Sequence, residues 1–178
     1  MELGEHMRAK LGAFWGLAGV ALLLGSAVYR MTPWAIEAFA QKFSWYHYTA
    51  LLLIVFIMAY AEGYRAFQKG FSPRVAARAR YLRDHARWPH ILFAPLFCMG
   101  FFHTSRRRQI TSISVTTGII VLVFLVKMLP QPWRGIVDAG VVVGLVWGLV
   151  SLVLFGIQAL SAESFPYSPE VPEGEVVS

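Results

Sequence analysis

His90, Cys98, Met99 and His103 are the residues of this chain whose types invite a bound cofactor. On a helix Met99 and His103 stand at i and i+4 and share a face, and soft sulfur beside imidazole suits copper(I). The spacing matches no specific metal motif, however, and in so aromatic a segment Cys98 and Met99 serve equally well as packing side chains. A bis-histidine haem needs two imidazoles at one depth, whereas His47 begins a hydrophobic run that His90 and His103 lie well beyond. No cofactor is therefore expected, and His90 with His103 remain the pair on which a membrane redox or lipid-modifying enzyme would depend.

Acid–base chemistry or a proton relay would place ionisable groups deep in the apolar runs, where they are costly and usually functional. Glu62, Lys127 and Asp138 each read as lying near the end of such a run, Glu62 beside Arg65 and Asp138 at i+4 from Arg134. Charges at those positions pair or snorkel. The sequence holds no phosphate-cradling glycine loop, no Gly-x-Ser-x-Gly, no His-Glu-x-x-His and no paired-carboxylate motif of a metal-dependent lipid transferase. No catalytic residue is assigned, and the expectation leans away from an enzyme.

The remaining polar chemistry is basic. "FSPRVAARARYLRDHARW" begins with Ser72 as a plausible N-cap and Pro73 at the first helical position, then runs to Trp88 without a breaker. At about 100° per residue, Val75, Ala79, Leu82 and Ala86 make one narrow stripe. Arg80, Arg83 and Arg87 flank it on one side, and Arg74, Arg78 and His85 on the other. This predicts a surface helix over 72–88, lying among headgroups with its arginines on lipid phosphates or an acidic partner. Arg106, Arg107 and Arg108 extend the same surface. The basic residues sit between hydrophobic runs, which points to anionic lipid rather than nucleic acid.

These residues are positioned by long hydrophobic segments. An apolar share of 57% and a mean hydropathy of +0.54 exceed what a soluble domain of 178 residues carries. Four stretches approach the roughly 20 residues that cross a ~30 Å hydrocarbon core: 11–28, 45–61, 110–129 and 136–160. All should be helices, because a helix satisfies its own backbone in lipid. The first follows Arg8 and Lys10 and ends in Gly-Ser-Ala, which also resembles a secretory signal; it is taken as an uncleaved first span.

The segment 88–103 is different. It would make a rod of about 24 Å at 1.5 Å per residue, short of the core, with Pro95 and Gly100 inside it. That predicts a re-entrant or interfacial segment, with five spans as the alternative. If the segment dips and returns, the side shared with the N-terminus holds twelve basic residues and the other side four. If it crosses, the division becomes eleven against five, and the three consecutive arginines move outside. Arginines beside a span are retained on the cytoplasmic face, so both termini are expected in the cytoplasm.

Small residues predict the packing. Gly140, Gly144 and Gly148 recur at i+4, and Gly12 and Gly16 offer a similar surface on the first span. Such stripes let helix backbones approach closely, against another span of the same chain or across a homo-oligomer or larger membrane complex. The acidic, proline-containing residues 161–178 should be mostly disordered, or lie on the basic loop. The fold expected is an all-α, polytopic integral membrane bundle in the cytoplasmic (inner) membrane. The function expected is that of an accessory subunit or scaffold, with a small oligomeric channel or transporter gated by 89–100 as the alternative.

Overall fold

The computed structural model describes residues 2–84 and 91–171. These residues are helical, without a strand: α1 (Glu2–Phe39), α2 (Trp45–Met58), a π-helical segment (Ala59–Phe71), α3 (Ser72–Asp84), α4 (Ala94–Cys98), α5 (Arg106–Lys127) and α6 (Trp133–Ser161). Four continuous stretches are long and apolar enough to cross a membrane: Lys10–Phe39, Trp45–Asp84, Arg106–Lys127 and Trp133–Ser161. The four hydrophobic runs of the sequence lie on these, one to each.

Two elements run further than the hydrophobicity suggests. α1 continues past Val28 and through Pro33 for 38 residues, about 57 Å at 1.5 Å per residue. Its extension is held by packing on the start of α6. Ala38 fills the space where Gly135 would carry a Cβ, and the Trp34 ring lies 3.6 Å from the Arg134 guanidinium carbon. The second departure corrects the expected helix start at Ser72. α3 is the last part of a continuous 40-residue helix that begins at Trp45. Proline normally breaks a helix because its ring meets the carbonyl four residues back. Here the wider i→i+5 winding of 59–71 precedes Pro73, so the ring follows a turn that is already expanded.

The chain forms two compact units. One comprises Met1–Ala21, Phe71–Thr116 and Leu152–Ser178, the other Leu22–Gly70 and Thr117–Ser151. In the first, α3 is the centre. Val75, Ala76, Ala79 and Leu82 are buried, as is Arg78 at 3% exposure. This replaces the expected surface helix, because α4 packs along α3 and covers the stripe meant for lipid. The largest fully buried side chain, Phe97 of α4, stacks on Tyr81 at 6.1 Å and meets Phe102 edge-on at 5.8 Å. Burying a side chain of that size contributes about 1.5–3 kcal/mol.

In the second unit α2 and the π-helical segment pack on α6. Tyr46 and His47 contact Trp133, with ring centroids 6.3 and 5.1 Å apart. His47 Nδ1 accepts the Ser44 N–H at 3.0 Å, closing the start of α2. Further along, Trp147 sits over Gly63 and donates its Nε1–H to Gln68 Oε1 at 2.8 Å. α5 buries little of its surface, Val126 being its buried residue. Ile119, Phe124 and Leu125 are each more than half exposed, a surface that only an apolar solvent would cover without cost.

Candidate functional site

The glycines of α1 receive α4 and the residue stretch before it. A Cβ at Gly12 would meet Ile91 Cγ1 at 3.0 Å, and one at Gly16 would meet Cys98 Sγ at 2.7 Å; Pro95 occupies the Cβ position of Gly19. The segment 91–98 is thus seated in a notch that larger residues would close. Gly140, Gly144 and Gly148 of α6 take Ile54, Glu62 and Phe67 of the same chain, with closest approaches of 2.6, 2.9 and 2.5 Å to their Cβ positions. The stripe is filled from within the chain by the helix that begins at Trp45, not by α1. Gly156, two turns on, is the glycine that meets α1, at Leu17.

Glu62 departs from its expected place at a helix end. The helix continues through it, and its carboxylate rests on Gly144, 11 residues from the start of α6 and 17 from its end. Among the described residues it forms no ion pair.

The arginines of α3 converge on carbonyl groups. Arg78 donates from Nε to Phe97 O at 2.6 Å, from Nη1 to Pro169 O at 2.9 Å, and from Nη2 to Phe102 O and His103 O, both at 3.0 Å. Its guanidinium lies 4.1 Å from the Phe97 ring centroid. One side chain therefore holds three carbonyls of the stretch around and after α4 and one of the tail. His103 takes a left-handed backbone, φ 53°, and Gly100 another, φ 78°. Such a conformation costs a non-glycine residue about 1–2 kcal/mol, which the Arg78 bond to its carbonyl offsets.

Arg80 and Arg83 close the end of α6, where four carbonyls lack helical partners. Arg80 donates to Ala159 O, Ala162 O and Glu163 O, and Arg83 to Leu160 O at 2.8 Å. Arg78, Arg80 and Arg83, which the sequence offered to lipid headgroups or a partner, thus each place donors on carbonyls within the protein. Residues 162–171 follow without regular structure, yet they are anchored where the sequence suggested disorder. Tyr167 packs on Phe155 at 5.7 Å, and Thr104 donates to Glu170 O at 3.2 Å.

Beside this clamp, Arg74, Arg108, Thr104, Ser168 and Glu170 line a cavity of about 10 Å³ with Arg78 at its wall. Arg108 Nε stands 3.7 Å from Glu170 Oε2. Arg74 Nε is buried without a hydrogen-bond acceptor. Arg106 and Arg107 are exposed. Arg87 and His90 lie outside the described residues. Glu170 is one of the tail glutamates that the sequence could set against the basic loop, whereas Thr104 and Ser168 carry no signal of their own in the sequence.

The helical arrangement that would have put Met99 and His103 on one face does not form, because α4 ends at Cys98. Among the described residues no three His, Cys, Asp or Glu side chains come together as a metal site requires. Cys98 is buried, and burial pushes its thiol up to about 12 against a smaller opposing effect of the Arg78 charge. A thiol held protonated in this way is a poor nucleophile at neutral pH. Comparison with protein-family models, with curated proteins and with solved structures returns no match.

Proposed function

We propose that this chain is a non-enzymatic protein of the cytoplasmic membrane, a four-span scaffold or accessory subunit whose basic end binds the anionic leaflet. In this reading 88–103 is re-entrant or interfacial and both termini are cytoplasmic. The observation that carries it is the composition of the first unit: the first half of α1, α3, 91–104, the start of α5, the end of α6 and the tail all belong to one compact body. What supports the lipid role is that Arg106 and Arg107 stay exposed at the start of α5 while Arg78, Arg80 and Arg83 are committed internally. Each exposed arginine near an anionic surface contributes about 1 kcal/mol.

The test is lipid retention. Protein reconstituted in mixed phosphatidylcholine and phosphatidylglycerol, then extracted mildly and weighed by native mass spectrometry, should keep the anionic lipid selectively. The R106Q/R107Q double variant should keep less of it. Equal retention of both lipids by the unaltered protein would remove this function.

A further inference from the structure

Arg74 and Arg78 stand one turn apart on α3 and are opposites. Arg78 has an acceptor at each of three nitrogens. Arg74 donates no hydrogen bond and forms no ion pair among the described residues, and its Nε is buried without an acceptor. Leaving such a donor unmet is costly. The nearest anion is Glu170, whose carboxylate faces Arg108 at 3.7 Å, an ion pair too long to be a hydrogen bond. Glu170 is itself held in an unusual state, with φ 50°, its N–H on Ser168 Oγ and its carbonyl on Thr104. The tail thus delivers one tethered carboxylate to a nook walled by three guanidinium groups. That charge excess is what an anion with more acceptor oxygens would neutralise.

We propose that Arg74 and Arg108 form a phosphate-binding site, which Glu170 occupies when no ligand is bound. The cavity of about 10 Å³ has room for roughly one water, so a phosphate enters only as the Glu170 carboxylate leaves. On exchange Arg74 gains the acceptor it lacks, and Arg108 trades a long ion pair for charge-assisted hydrogen bonds to phosphate oxygens. The tail is then a built-in competitor, displaced by ligand. This chemistry has two sources, the headgroup of an anionic phospholipid and free phosphate. The headgroup version rests on the membrane reading above.

The full chain in neutral detergent is titrated calorimetrically with short-chain phosphatidylglycerol below its micelle concentration and, separately, with inorganic phosphate. R74Q, which removes no existing bond, should weaken binding about tenfold or more, the worth of one charged hydrogen bond. E170Q should tighten it severalfold by removing the competitor. The K42Q variant, at an exposed lysine outside the nook, should leave this site nearly unchanged. Binding of the lipid probe alone assigns the site to a headgroup, and binding of phosphate alone to the free anion. Unchanged affinity in both R74Q and E170Q overturns the site, as does failure of both probes to bind. If the unaltered protein still retains anionic lipid in bilayers in either case, the membrane function stands and only the nook is lost.

Discussion

Arg78 reaches four carbonyl oxygens at once because a guanidinium is a planar fork of donors. An ammonium has no such geometry, so Arg78→Lys should fail as a replacement. Loss of several charge-assisted bonds that leave buried carbonyls unmet is worth about 3 kcal/mol. The expected result is a melting temperature lower by roughly 10 °C in detergent, for lysine and methionine alike; full stability in the lysine variant would show that the fork is not needed. Cys98 offers a second check. With its thiol pushed up to about 12, about one molecule in ten thousand carries thiolate at pH 8. Native protein should resist maleimide for hours at that pH, and denatured protein should react at once. At this scale the sequence revealed residue types but not partners. The angular positions of Val75, Ala79 and Leu82 were legible from their spacing. What covers them was not, because α4 and the tail come from far along the chain and leave no mark on local periodicity.

Packing between elements depends on which glycines are opposed. Gly16 and Gly25 sit on the same helix, yet a Cβ at Gly16 would strike Cys98 Sγ at 2.7 Å and one at Gly25 meets nothing within 4 Å. Gly16→Leu should therefore destabilise by about 1–3 kcal/mol through overpacking. Gly25→Ala should be neutral or gain up to about 1 kcal/mol of helix propensity. Thermal unfolding in one detergent compares the two directly, and equal effects would mean α4 is not seated in the notch. Glu62 supplies the converse test. It is a half-buried carboxylate resting on Gly144, with no ion pair among the described residues. Glu62→Gln removes that charge at nearly constant volume and should raise the melting temperature by a few degrees, given a cost of about 1 kcal/mol or more for an unpaired charge. A lower melting temperature would indicate that the charge is used. The glycine stripe itself was plain from sequence, but its partner was not: small-residue spacing specifies that a backbone approaches, never which one. The place of Glu62 was missed for a related reason. Hydropathy falls after Ala61, while the helix carries on to Asp84.

For the whole molecule, the sequence made legible the four apolar segments and the oddity of 88–103, since length and composition alone decide what spans a bilayer. The nook walled by Arg74, Arg108 and Glu170 could not be read there, because it forms only when residues 104, 108 and 168–170 fold onto α3. The central claim is that the tail, 91–104 and the start of α1 share one face of the membrane. Single cysteines at Arg107, Ser164 and Lys42, each on a Cys98→Ala background, test it with an impermeant maleimide applied to intact cells. Labelling of Lys42→Cys from outside, with Arg107→Cys and Ser164→Cys reached only after permeabilisation, is the expected result. Labelling of Arg107→Cys and Ser164→Cys from the same side as Lys42→Cys would contradict it, and would make the segment 88–103 a fifth crossing.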